Sequence, residues 1–230
     1  MPISLDIHSH ILPGIDDGAA DLETSLKLIK GLYDLGIRKS IATPHVIGDL
    51  YRNTPQTISA ALELTRKACG EAGIEVELSA AAEYMLDDHF MDLLKRKETL
   101  LTIHENYILT EFSYTQEPVN TEEILFNLIT SGYKPILAHP ERYAYFHRDF
   151  KVYQLLREQG FHLQVNLLSL TGYYGRAVAK AARYIIDKDL AALVATDLHH
   201  HRHLAAFQDL DNLRLFDKLL GRRTLNQFNS

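Results

Sequence analysis

Residues 3–18 read Ile-Ser-Leu-Asp-Ile-His-Ser-His-Ile-Leu-Pro-Gly-Ile-Asp-Asp-Gly. A short β-like run, Ile3–Ile7, ends in His8-Ser9-His10. In extended backbone, residues i and i+2 point the same way, so both imidazoles can reach one point in space. The next segment, Leu12-Pro13-Gly14-Ile15-Asp16-Asp17-Gly18, is rich in turn formers. It can fold Asp17 back over that point. The same order of strand, then polar ligand type, recurs along the chain. Strand-like runs at Lys39–Thr43, Glu75–Ala80, Tyr107–Thr110, Lys134–Ala138 and Ala191–Ala195 lead into His45, Glu83, Glu111, His139 and the pair Asp197 and His199. Only the run His162–Val165 ends without such a residue, in Asn166. In a barrel of strand–helix units, all strand C-terminal ends converge on one face, where the active site sits. The expected fold is therefore α/β, a distorted seven-stranded (β/α)7 barrel of the TIM type. An open doubly wound sheet is the alternative; it would gather functional residues near one switch point.

Helical patterns lie between the strands. Leu26, Ile29, Leu32 and Tyr33 share one helix face. Ile58, Leu62 and Thr65 do so in the next helix, which starts at Thr54-Pro55. Gly36, Gly73, Gly132 and Gly160 each fall where a helix ends before a strand. One terminal helix is expected to carry Leu204, Phe207, Leu210, Leu213, Phe216 and Leu220.

The 230 residues contain no linker-like stretch, so one domain spanning 1–230 is expected. The net charge of −6 argues against a general basic surface for nucleic acid. The N-terminus lacks a basic segment followed by an apolar run, and no stretch approaches the about 20 apolar residues of a membrane span. A cytoplasmic protein without membrane insertion is the expectation. The single cysteine, Cys69, agrees with a reducing compartment.

Imidazole combined with carboxylate suits Mn, Fe or Zn better than Ca or Mg. The carboxylates of Asp17, Glu83, Glu111 and Asp197 would crowd one site with negative charge. Two divalent ions would balance that charge, and three would leave about +2. A positive, metal-lined pocket is what phosphate ester hydrolysis needs. Any one loop histidine is usually a satisfied polar group, but unit-by-unit recurrence is not explained that way.

His8-Ser9-His10, Asp16-Asp17-Gly18, Ala42-Thr43-Pro44-His45 and His139-Pro140-Glu141-Arg142 together resemble the polymerase and histidinol phosphatase (PHP) superfamily. From Ile3 to about residue 205, the chain is similar to its bacterial protein-tyrosine phosphatases, the CpsB/YwqE type of capsule and exopolysaccharide loci. The resemblance implies a distorted barrel holding two or three metal ions, Mn or Fe, with Zn also possible. It implies His8, His10, Asp17, His45, Glu83, Glu111, His139, Asp197 and His199 as ligands, with Asp17 favoured over Asp16. Glu83 would bridge, and Arg142 would bind substrate phosphate. Many relatives carry a second histidine where this chain has Val46. A further family arginine has Arg202 as its counterpart, in the run His199-His200-His201-Arg202-His203. The implied mechanism is attack of a metal-bound hydroxide on the phosphorus of phosphotyrosine. Arg142 and Arg202 would grip the oxygens, and Asp197 or a histidine would serve the leaving phenolate. The implied partner is a tyrosine kinase with a Tyr-rich tail; the oligomeric state is left open. The alternatives are a small-molecule phosphatase, such as one for histidinol phosphate, and a non-catalytic phosphotyrosine- or partner-binding module.

A cysteine phosphatase is excluded, because the position six residues after Cys69 is Glu75, not Arg. Cys69 is expected to be a small packed side chain. Glu141 and Arg142 have a plainer reading as an ion pair on the barrel rim. Tyr51 and Arg52 read equally as a substrate clamp or a loop cover. Tyr143, Tyr145 and Phe146 read equally as groove lining or packing. His89, His104, His147 and His162 show no ligand-like placement.

Overall fold

The computed structural model describes residues 1–221 and 226. Its strands are β1 (Leu5–Asp6), β2 (Lys39–Ala42), β3 (His45–Ile47), β4 (Tyr51–Arg52), β5 (Glu77–Ala80), β6 (Glu83–Met85), β7 (Tyr107–Glu111), β8 (Lys134–Ala138), β9 (His162–Asn166) and β10 (Ala191–Ala195). Its helices are α1 (Leu22–Asp34), α2 (Pro55–Glu71), α3 (Asp88–Lys95), α4 (Thr121–Thr130), α5 (Lys151–Gln159), α6 (Arg176–Asp187), α7 (His201–Gln208) and α8 (Leu210–Leu220).

The strands form two ladders, β1-β2-β5 and β10-β9-β8-β7-β6-β3-β4. All pairings are parallel except the β3–β4 hairpin. The two ladders are one wall. β2 runs on through Thr43-Pro44 into β3, and β5 runs on through Ala81-Ala82 into β6. Across these breaks, Ala81 N–H donates to Ala42 O at 2.8 Å and Glu83 N–H to Pro44 O at 3.1 Å. At the seam between β1 and β10, Asp197 N–H donates to His8 O and His10 N–H to Leu198 O, both at 2.9 Å. Side chains complete that seam. Asp6 Oδ1 accepts from Thr196 N–H at 2.9 Å, and Asp6 Oδ2 from Thr196 Oγ1 at 2.6 Å. Counting each broken pair as one, seven parallel strands close into a distorted barrel.

Strand alternation sorts the apolar residues into two layers. Ile7, Ile41, Leu109, Ile136 and Leu193 fill the barrel interior. Ile108, Leu137, Leu163, Val165 and Val194 face outward onto the helices. The inner face turns to alanine at Ala81, Ala138 and Ala195, just before Glu83, His139 and Asp197. Small side chains there leave room for imidazoles and carboxylates above.

The helix starts follow capping rules. Asp21 accepts from Thr24 N–H at 2.7 Å to start α1, and Thr54 with Thr57 forms a capping box for α2. The four expected glycines all adopt positive φ. The buried stripe of α1 is Ser25, Leu28, Ile29 and Leu32, with Leu26 and Tyr33 on its flank. Cys69 is buried in α2, and burial pushes its thiol up.

The expected single terminal helix is two. At Asp209 the backbone is extended (φ −62, ψ 123), and its carboxylate caps α8 through Asp211 and Asn212 N–H. Among the described residues, no helix is long and apolar enough to cross a membrane.

Candidate metal centre

Glu83 lies at the centre of the C-terminal end of the barrel, fully buried. Its Oε2 is 3.2 Å from His8 Nε2, 3.3 Å from His10 Nε2 and 3.1 Å from His45 Nδ1. Its Oε1 is 3.1 Å from His139 Nε2. Glu111 Oε1 lies 2.9 Å from His45 Nδ1. Asp197 Oδ1 lies 3.5 Å from His8 Nε2 and 3.3 Å from His199 Nδ1. Asp17 Oδ1, on the loop after β1, lies 3.4 Å from His45 Nε2 and 3.6 Å from His199 Nε2. These atoms fall into four overlapping groups, each with ligand atoms within 4.8 Å of one another. The groups are His10, Asp17, His45 and His199; His8, His10 and Asp197; His8, Glu83 and His139; and His45, Glu83 and Glu111. Together they contain all nine of the residues singled out in the sequence.

His8 Nε2 and His10 Nε2 lie 3.1 Å apart, within hydrogen-bond distance, but the carboxylate–imidazole contacts of these groups do not have the geometry of hydrogen bonds. Both oxygens of Glu83, Glu111 Oε1, Asp197 Oδ1, His45 Nδ1 and His139 Nδ1 are buried with no hydrogen-bond partner among the described residues. Such atoms are costly unless something else satisfies them. The carboxylate oxygens and histidine nitrogens of each group are the donor set of a Mn, Fe or Zn site. The residues fit divalent cations.

The local backbone explains how the chain delivers these groups. His45 and Glu83 are direct partners in the β3–β6 register. His139 and Asp197 adopt left-handed conformations, with φ of 36° and 50°. This turn aims each side chain into the barrel mouth immediately after its strand. A Cβ on Gly18 would lie 2.0 Å from His10 O, so only glycine lets the Asp17 loop approach this closely. Asp16 is turned away from the cluster. Its Oδ2 lies 2.8 Å from His10 Nδ1, and its Oδ1 accepts from Gly18 N–H at 3.0 Å. Asp16 thus orients His10, while Asp17 faces His45 and His199.

Opposed charges set the electrostatics. Burial pulls His8 down, but Glu83 and Asp197 outweigh it and raise it. Burial and His45 pull His10 down, while Asp16 and Glu83 raise it to about 10. Burial opposes ionisation of Glu83, yet the surrounding imidazoles, His8 first, hold it well below the usual carboxylate range. Burial and then Glu83 push Glu111 up. The His45 contact lowers Asp17 to about 2. Burial and His10 lower His199 to about 4.

A cavity of about 420 Å³ opens over the cluster, lined by Asp17, His45, His139, Asp197 and His199 and rimmed by Tyr114, Arg142, Tyr173, Tyr174, His200 and His203. Arg142 Nη1 donates to Asp197 Oδ2 at 2.8 Å. Its guanidinium lies between two rings, 4.9 Å from Tyr114 and 4.3 Å from Tyr174. The rim pairing with Glu141 does not occur. Glu141 is fully buried, where its Oε1 accepts from Asn166 N–H at 2.9 Å. Proline at 140 starts a tight turn over residues 140–142, in which Glu141 goes to the Asn166 N–H and Arg142 to Asp197 Oδ2. Arg202 is exposed on α7, outside the cavity lining. Tyr51 stacks on His45 at 5.8 Å. Arg52 is exposed, and its Nε donates to Gly48 O. Tyr143 and Phe146 are packing residues: both are buried, and Tyr143 OH donates to Ala138 O at 3.1 Å. Tyr145 is half-buried with its OH on Ser113 O.

The sequence reading missed Gln164, Tyr114 and Tyr174, and gave Asn166 no role. Gln164 and Asn166 lie on the inward face of β9 with i, i+2 spacing, and that spacing was the available signal.

Residues 4–223 match the family described as "Capsular polysaccharide synthesis, CpsB/CapC". The tyrosine-protein phosphatase YwqE of Bacillus subtilis (strain 168) is 30% identical over 196 residues, covering 85% of this chain and 77% of that protein. The tyrosine-protein phosphatase CpsB of Streptococcus pneumoniae is 28% identical over 201 residues, covering 85% of this chain and 83% of that one. A crystal structure from work on YwqE and CpsB, described there as unique metal-dependent tyrosine phosphatases, superposes with a TM-score of 0.84 at 28% identity. It covers 95% of this chain and 88% of the other. An amidohydrolase from Mycoplasma synoviae, at 14% identity and a TM-score of 0.54, shares the fold. With its closed barrel, its cluster of ligand-type side chains and a match along nearly its whole length, this chain belongs to the CpsB/CapC family.

Proposed function

We propose that this chain is a metal-dependent protein-tyrosine phosphatase. The observation that carries this reading is the convergence of nine ligand-type side chains beneath a cavity whose rim presents Arg142. We assign His8, His10, Asp17, His45, Glu83, Glu111, His139, Asp197 and His199 as holders of two or three divalent ions. Mn or Fe suits this donor set, and Zn is compatible. When bound, such ions act as Lewis acids and lower the pKa of a water at the site. Glu83 has histidines at both oxygens, which suits a carboxylate shared between ions.

The protein groups supply the rest. Among the described residues, the one side-chain hydrogen bond of Arg142 goes to Asp197, so its other donors can take phosphate oxygens in a planar, bidentate grip. Tyr114 and Tyr174 fix the guanidinium plane and offer ring faces to a substrate phenyl group. Asp197 serves as anchor rather than proton donor. Burial opposes its ionisation, but three histidines and Arg142 hold it far below the usual carboxylate range. A phenolate leaving group, with a conjugate acid pKa of about 10, needs little protonation to depart. Arg202 receives no role.

We extend the reading to a partner, a tyrosine kinase of polysaccharide synthesis and export, to a cytoplasmic setting, and to residues 1–230 as one domain. The test is elemental analysis paired with turnover of a phosphotyrosine peptide and of histidinol phosphate, before and after chelation. Two or three ions per chain with chelator-sensitive, peptide-preferring turnover is the expected result. Preference for histidinol phosphate would keep the site and change the substrate. Failure to bind any divalent ion would overturn the assignment.

A further inference from the structure

The sixth barrel strand, β9, contributes no residue to the four ligand groups, yet its inward face carries two buried amides. Gln164 Oε1 lies 2.8 Å from His8 Nδ1. Gln164 Nε2 donates to Asn166 Oδ1 at 2.8 Å, and Asn166 Nδ2 donates to Asp197 Oδ2 at 2.6 Å. All four side chains are essentially inaccessible to solvent.

The direction of this chain is fixed at one end. Asp197 Oδ2 already accepts from the Arg142 guanidinium at 2.8 Å, so it faces Asn166 as a carboxylate oxygen that can only accept. It therefore demands the amide nitrogen of Asn166, which lies 2.6 Å away. That leaves Asn166 Oδ1 facing Gln164, which must answer with its own nitrogen. Gln164 Oε1 is left facing His8, so His8 must carry its proton on Nδ1. The lone pair of neutral His8 is then on Nε2. This is the nitrogen 3.1 Å from His10 Nε2, 3.2 Å from Glu83 Oε2 and 3.5 Å from Asp197 Oδ1, and His8, His10 and Asp197 form one of the four ligand-type groups.

We propose that Gln164 and Asn166 are positioning residues that preset His8 for cation binding through Nε2. The same relay splits the work of Asp197: Oδ2 is held by Asn166 and Arg142, and Oδ1 is left to the ligand cluster. Glu141 pins the relay from below, because its carboxylate holds the Asn166 N–H and the next residue in the chain is Arg142. The relay thus links cation site and phosphate-binding arginine through one aspartate. This inference rests on the metal-site reading above and adds to it what makes the site selective for one histidine tautomer.

The first test needs no variant. The full chain, labelled with ¹⁵N-histidine and loaded with Zn²⁺, which is diamagnetic, should show His8 with a protonated Nδ1 and a metal-bound Nε2. A protonated Nε2 overturns the proposal. The second test compares Gln164→Glu and Gln164→Leu for Zn²⁺ affinity by competition with a chromophoric chelator. Loss of an outer hydrogen-bond partner to a ligand histidine typically weakens metal binding about 10- to 100-fold. Gln164→Leu should fall in that range. Gln164→Glu accepts from His8 but cannot donate to Asn166, so it should keep the Nδ1–H signal while raising the KM for phosphotyrosine peptide through a displaced Asp197–Arg142 pair. A folded Gln164→Leu with affinity within twofold of the native chain overturns the proposal. If the native chain binds no Zn²⁺, Mn²⁺ or Fe²⁺, it is the metal-site reading itself that fails.

Discussion

Replacing Arg142 with lysine separates charge from shape. The guanidinium donates to Asp197 at 2.8 Å and lies between Tyr114 and Tyr174 at 4.9 and 4.3 Å. A lysine ammonium keeps the positive charge and can still pair with Asp197. It loses the planar fork, and with it at least one of two hydrogen bonds to phosphate. A hydrogen bond to a charged group is worth about 1.5–3 kcal/mol. Poorer contact with the two rings adds about 0.5–1 kcal/mol. The sum, about 2–4 kcal/mol, corresponds to a loss of roughly 30- to 700-fold in kcat/KM at about 1.4 kcal/mol per decade. The loss should fall mainly on KM, because ground state and transition state share the phosphate grip. Metal content should stay at the native value, since Asp197 Oδ1 faces the histidines and not Arg142. The assay is steady-state turnover of a phosphotyrosine peptide alongside elemental analysis of the same preparation. A kcat/KM within threefold of native would refute the phosphate role of Arg142. Loss of metal in step with activity would refute the division of labour between the two Asp197 oxygens.

Other outcomes follow from the same geometry. Glu83→Gln keeps the shape of the residue but removes the charge that faces four imidazoles; elemental analysis should show fewer ions per chain and turnover should vanish, while far-UV circular dichroism stays native. Gly18→Ala places a Cβ 2.0 Å from His10 O, so the Asp17 loop must move; a stability loss of about 1–3 kcal/mol in thermal unfolding and weaker metal binding are expected. Metal uptake at pH 7 should release protons. The protein groups alone hold His10 protonated up to about pH 10, and a cation must displace that proton, so apparent affinity rises with pH and falls as pH drops. Calorimetry in buffers of different ionisation enthalpy would show this as a buffer-dependent heat, and a buffer-independent heat would contradict it.

The cluster of ligand-type side chains was legible because all its members but Asp17 stand at or just past the end of a recognisable strand, and a barrel brings such ends together. Asp17 was legible for another reason, the turn-rich loop that carries it. Less of the wall itself was visible. His45–Ile47 and Glu83–Met85 are strands, but Pro44 and Ala81-Ala82 interrupt the β pattern before them. The break at Asp209 was hidden because apolar spacing continues across it from Phe207 to Leu210. Pairings distant in sequence left no local trace. Arg142 meets Asp197 across 55 residues, whereas its neighbour Glu141 looked like the natural partner. Gln164 and Asn166 escaped notice because neutral amides carry no metal-ligand signature, even though their spacing on β9 matches that of His8 and His10.

His139 and Asp197 hold left-handed backbone with φ of 36° and 50°, a conformation that costs a residue with a Cβ about 1–3 kcal/mol. Glycine at 139 would relieve that cost and would also remove a ligand-type side chain. Glycine at 197 would in addition leave Asn166 and Arg142 without their acceptor, which offsets the relief. Selection for heat tolerance in the absence of cations should therefore enrich glycine at 139 and not at 197. Stability and chemistry are in direct competition at residue 139, and any effort to harden the fold should leave it alone.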